Sequence, residues 1–151
     1  MSLKFANNNS LSAIDTKPSG LTGGSITLLS TQTASSSATI SFTSDIDSTY
    51  KEYQFHFIDI HPATDGSQFQ INFRDGGTDY DASKTTTHFR SLHYEDGTTA
   101  AEITYLTATD LANGTGSQSI AQNIGNDNDQ SAGGYLHLFN PSSTTFVKHF
   151  L

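Results

Sequence analysis

The chain has 151 residues, with seven Lys and Arg against fifteen Asp and Glu, a formal charge of −8, and no Cys. That composition excludes a disulfide frame, a thiolate metal site and the basic stripe that displaces counterions from nucleic acid. It also disfavours an anionic membrane surface, and no apolar run reaches the roughly 18 residues of a spanning helix.

Apolar residues make up only 34% and aromatics 11%, while Ser and Thr supply roughly a quarter of the chain, more than average. β-branched and aromatic residues favour strands, whereas helices would want Ala, Leu, Glu and Lys. The N-terminus lacks the apolar core of a signal peptide, so synthesis in a cytoplasm without secretion by the standard route is expected.

Residues 1–24 are polar and punctuated by Asn7-Asn8-Asn9, Pro18, Gly20 and Gly23-Gly24. They read as an extended N-terminal arm that docks through Leu3, Phe5, Leu11, Ile14 and Leu21; a disordered tail is the alternative. Residues 25–151 read as one β domain. Its first strand candidates are 26–33 and 38–43, joined by Ser35-Ser36-Ser37. The clearest strand is 50–60, where Tyr53, Phe55 and Phe57 alternate with Gln54 and His56 before His61-Pro62 ends the run. Ile58 and Ile60 shift the pattern from odd to even positions, which predicts a bulge at Phe57-Ile58 or burial on both faces. Residues 68–74 follow, with Phe69, Ile71 and Phe73 at period two and a turn at Asp75-Gly76-Gly77.

Residues 86–95 form a weaker strand pattern, with Leu92 and Tyr94 on one face and Phe89 on the other. Residues 100–111 read as a strand with Ile103 and Tyr105 and then a helical turn; a short helix through Ile103, Leu106 and Leu111 is the alternative. A polar connection at 125–130 leads to 134–140, where Tyr135, Leu136, Leu138 and Phe139 surround an outward His137. Pro141-Ser142-Ser143 then turns the chain into 145–151, still strand-like at Leu151. Either a paired strand ends the natural polypeptide there or the polypeptide continues. Seven or eight short strands predict an all-β, antiparallel β-sandwich or jelly-roll-like single domain. Phe55, Phe57, Phe69, Ile71, Phe73, Leu138 and Phe146 are its expected core.

The chemistry-bearing residues form no catalytic signature. His56 and His61, and His88 and His93, sit five apart, an odd spacing that sends strand side chains to opposite faces. Asp127-Asn128-Asp129 resembles the start of a calcium loop, but Ala132 stands where the loop needs Gly, and no Glu closes it. Asp75, Asp79 and Asp81 read as a solvated acidic turn. No Gly-x-Ser-x-Gly elbow occurs, Gly114-Thr115-Gly116-Ser117 lacks the phosphate-loop Lys, and nothing selects a carboxylate pair for glycoside cleavage. Asn113-Gly114-Thr115 matches a glycosylation sequon, read as chance without a signal peptide. The expectation is a non-enzyme with no metal and no cofactor.

Several strings resemble structural proteins of marine tailed bacteriophages, cyanophages especially. They include residues 2–14, residues 28–42, Tyr50-Lys51-Glu52-Tyr53, Ile60-His61-Pro62-Ala63-Thr64, residues 124–129, and residues 134–143 from Gly134-Tyr135-Leu136-His137 to Ser143. The resemblance covers most of the chain and implies a virion component, a tail-fibre-like or capsid-decoration protein assembled in the host cytoplasm. It supplies no catalytic residues, and it implies further β sequence beyond Leu151. The arm's spaced apolar residues and the small apolar share predict a homo-oligomer, and the resemblance implies a trimer by preference, in contact with other virion proteins. The alternative is a carbohydrate-binding adhesion module whose Tyr, Phe and Asp/Asn loops touch host-surface glycans.

Overall fold

The computed structural model describes residues 26–94, 96–97 and 102–151. The chain divides into two units, Met1–Asp45 and Ile46–Leu151. The arm residues Leu3, Phe5, Leu11, Ile14 and Leu21 lie outside the described residues.

In the first unit, residues 26–45 carry no strand and bend at several points, with Ser36 and Asp45 at positive φ, which corrects the two strands expected there. Ile26, Leu28 and Leu29 are all exposed. Gln32 Nε2 donating to the Ser41 carbonyl (2.9 Å) ties the segment together instead of a backbone ladder.

The second unit is nearly all β, and its described residues include no α-helix. Strands β1 (Glu52–Ile60), β2 (Ser67–Ile71), β3 (Phe89–Leu92) and β4 (Glu102–Tyr105) precede a short 3₁₀ turn at Thr107–Thr109. Strands β5 (Gln118–Ile124), β6 (Ala132–Phe139) and β7 (His149–Phe150) follow. All pairings are antiparallel, giving a three-stranded sheet β1-β6-β7 and two-stranded sheets β2-β5 and β3-β4.

Alternation sets the inner face of the first sheet. Tyr53 pairs with Leu138, Phe55 with Leu136 and Phe57 with Gly134, and Phe150 extends the row across β6. Tyr53, Leu136, Leu138 and the β5 residue Ile124 are buried, while Phe55, Phe57, Phe69, Ile71 and Phe73 are half-buried. Edge-to-face packing of Phe57 on Phe69 (4.9 Å) and a tilted contact of Phe73 with Phe150 (5.1 Å) join this sheet to the β2 segment.

The bulge lies where the sequence places it. Pairing breaks between Phe57 and Ile60, and Asp59 takes a left-handed φ of 55°, a conformation Asp tolerates better than branched residues. Ile58 then faces solvent while Ile60 turns back toward the sheet. Opposite the bulge the backbones approach closely: a Cβ at Gly133 would sit 3.3 Å from the Phe57 carbonyl oxygen.

Of the expected core only Leu138 is buried; Phe55, Phe57, Phe69, Ile71 and Phe73 are only half-buried, and Phe146 is not buried at all. Phe146 is 71% exposed, because the chain after Pro141 is still turning. The Ser143 hydroxyl accepts the Thr145 and Phe146 N–H groups (3.3 and 2.9 Å), and strand pairing begins only at His149. Strand β5 was not expected, since Gln118, Ser119 and Gln122 interrupt any apolar alternation. It forms around polar burial instead: the Thr86 hydroxyl donates to Gln118 Oε1 (2.5 Å) and accepts the Leu111 N–H (2.9 Å).

Candidate functional site

The β3-β4 hairpin is amphipathic in the inverted sense. Register places Phe89 opposite Tyr105 and Ser91 opposite Ile103, so these four share one face. That face is open to solvent, with Phe89 64% and Ile103 82% exposed, and the Phe89 and Tyr105 rings lie 5.1 Å apart. The opposite face carries Arg90, Leu92 and Thr104, which are half-buried, and Glu102, which is exposed. There Arg90 reaches Glu102 at 3.5 Å, and its Nε is buried with no hydrogen-bond partner. An isolated hairpin in water would turn its rings inward.

Asp110 anchors the rim of this face. Its carboxylate accepts the Tyr105 hydroxyl and the His88 backbone N–H (2.7 Å), and His88 Nδ1 contacts the Thr109 hydroxyl (2.9 Å). The hydrogen bond to Asp110, helped by desolvation and the Asp110 charge, holds the Tyr105 phenol above its ordinary 10.0. Because the folded value is raised, the associated stability is complete below pH 10.0 and disappears as pH rises through the folded value. An ultraviolet titration should therefore show Tyr105 ionising late, with its midpoint lowered by Asp110→Asn. A wild-type tyrosine titration indistinguishable from that of the variant would contradict the assignment.

A second ordered surface is the outer face of β1-β6. His137 Nδ1–H donates to Glu52 Oε1 (2.6 Å), Gln54 Nε2–H donates to His137 Nε2 (2.9 Å), and His56 Nε2–H donates to Gln54 Oε1 (2.8 Å). With the Gln54 amide oriented this way, the carboxylate gains a donor and the amide one partner at each end. Tyr135, 67% exposed, continues the row with its ring edge-on to His56 at 4.7 Å. Beside it lies an open depression of about 450 Å³ between Phe57–Asp59 and Ser131–Tyr135.

His137 faces outward between buried Leu136 and Leu138, as its position implies. His61 is occupied by the Gln130 carbonyl (2.7 Å) rather than by His56. Among the described residues no three His, Asp or Glu side chains converge as an ion-binding group. The cross-strand row Glu52–His137–Gln54–His56 was not visible in the sequence, because His137 lies 85 residues from Glu52 and only register unites them. No protein-family model, curated protein or solved structure matches the chain.

Proposed function

We propose that the chain is a structural protein of a tailed-bacteriophage virion, assembling with further copies of itself in a tail, fibre or capsid surface. The observation that carries the assembly reading is the inverted β3-β4 hairpin, whose Phe89, Ile103 and Tyr105 face water while Arg90 is half-buried. Exposed apolar clusters of this kind mark protein contact surfaces. The thin core agrees: among the described residues no side chain is completely buried, so covering the hairpin adds stability that the monomer lacks. The phage-like strings quoted above supply the virion setting and the preference for three copies. The Phe57–Phe69 and Phe73–Phe150 contacts support a β-sandwich or jelly-roll-like arrangement of the small sheets.

Virion membership is tested by peptide mass spectrometry of gradient-purified particles from a phage encoding the chain. Its peptides should be present at a fixed ratio to the other structural proteins. Their absence from intact particles, with the chain left soluble in the lysate, refutes the proposal.

The second reading, a glycan-binding module, is favoured by one observation: exposed Tyr135 beside the pre-ordered His56–Gln54–His137 row and the depression at the bulge. An aromatic platform flanked by fixed polar groups suits a sugar ring. Binding on an oligosaccharide array that is lost in Tyr135→Ala supports it; an array with no signal removes it.

A further inference from the structure

The least expected buried group in the protein is Lys84, 6% exposed, in the segment between β2 and β3. Burying a cation without a carboxylate partner at contact distance is costly. Lys84 Nζ instead meets the side-chain amide of Asn72, at 2.5 Å from Oδ1, and the Ala82 carbonyl at 2.6 Å. The backbone fixes both partners. Lys84 exchanges two hydrogen bonds with Gly114 (2.8 and 2.9 Å), and the Ala82 N–H donates to the Phe73 carbonyl (3.0 Å), closing the base of the exposed 74–81 loop.

We propose that Lys84 and Asn72 are joined by an intramolecular isopeptide bond. The neutral Nζ attacks Asn72 Cγ, a C–N bond forms, the Cγ–Nδ2 bond breaks, and ammonia leaves. One Nζ proton passes to the departing nitrogen, so atoms and charge balance without an oxidant or a nucleotide.

Four features prepare this reaction. With a carbonyl bond of about 1.23 Å, an Nζ at 2.5 Å from Oδ1 lies no more than about 3.7 Å from Cγ, close to the separation of a near-attack pair. The Phe73 backbone N–H donates to the same Oδ1 (2.9 Å), where it stabilises the oxyanion of the tetrahedral intermediate. The leaving amide nitrogen is oriented by its hydrogen bond to the Thr115 carbonyl (3.2 Å). Desolvation holds the Lys84 ammonium below its ordinary 10.5, opposed by the charges of Asp81 and Asp75, which enlarges the neutral, nucleophilic fraction. Those carboxylates are the acidic groups electrostatically coupled to Nζ, and Asp81 is the stronger of the two.

The product staples the loop base with a bond that neither heat nor reductant opens, and it does not depend on the virion reading. The experiment is intact-mass spectrometry of the full chain under denaturing conditions, with Lys84→Arg and Asn72→Ala alongside. The wild type should be lighter than its polypeptide mass by about 17 Da, one ammonia, and both variants should show their full masses. Trypsin should fail to cut at Lys84 and should yield a branched peptide joining residues 52–74 to 75–90. A wild type of full mass, cleaved normally after Lys84, overturns the proposal. So does a loss of ammonia that persists in Lys84→Arg, which would place it at another Asn.

Discussion

Leu138→Ala is expected to lower the free energy of unfolding by about 2–5 kcal/mol, the range for a large core side chain cut to Ala. Leu138 is only 7% exposed and sits on β6, the central strand of its sheet, directly between Tyr53 of β1 and Phe150 of β7. The neighbours are held by strand pairing on both sides and cannot collapse fully into the vacated space, so the cavity adds to the lost transfer energy. The few buried apolar side chains among the described residues make this a large share of a stability that in most domains is only about 5–15 kcal/mol. Phe146→Ala is the control. Its ring is exposed, and the change should stay within about 0.5 kcal/mol unless a neighbouring copy covers it. Chemical denaturation at low protein concentration measures both, and a Leu138→Ala cost under about 1 kcal/mol would show that the inner face is wrongly assigned.

Tyr53 should give the second large effect, divisible into two parts. Its ring is buried on the same face, packed edge-on against Tyr50 at 5.9 Å. Its hydroxyl accepts the Asp47 N–H (3.0 Å) and lies 3.1 Å from both the Asp47 carbonyl and Oδ1. Tyr53→Phe removes only those polar contacts and should cost about 1–2 kcal/mol. Tyr53→Ala removes the ring as well and should cost about 3–5 kcal/mol. Equal losses in the two variants would mean that the ring contributes nothing to the core. The Thr49 N–H, bonded at 2.8 Å, is the main group holding the Asp47 carboxyl below its ordinary 3.8. Its contribution is therefore present above pH 3.8 and is lost as pH falls through the lowered value.

The contrast between Leu138 and Phe146 shows what period-two alternation can reveal. Strands β1, β2 and β6 were legible because Phe, Tyr, Leu and Ile recur at every second position, and the sheet that holds β1 and β6 has one wet face. The β1 bulge was legible too, as a change of parity around Asp59. Strand β5 was not, because Gln118 and Ser119 are buried by hydrogen bonding rather than by apolarity, and polar burial leaves no periodic trace. Residues 26–33 misled for the opposite reason. Ile26 and Leu28 alternate, yet no adjacent strand accepts their backbone groups among the described residues. The candidate surfaces are similarly divided. The separation of Phe89 from Leu92 across the hairpin follows from parity, but which of the two faces water depends on packing that parity does not encode. The meeting of Lys84 with Asn72 depends on a loop closing on itself, and no local pattern announces it.

Assembly is the central claim, and the solution mass of the intact chain tests it most directly. Light scattering coupled to size exclusion should give a multiple of the chain mass, three copies by preference. The double variant Phe89→Ser/Ile103→Asp should shift it toward the monomer while circular dichroism keeps its strand signature. Removing residues 1–24, with Leu3, Phe5, Leu11, Ile14 and Leu21, should weaken the same association. An intact chain that remains monomeric at high concentration, with Phe89 and Ile103 still open to solvent, would contradict the account.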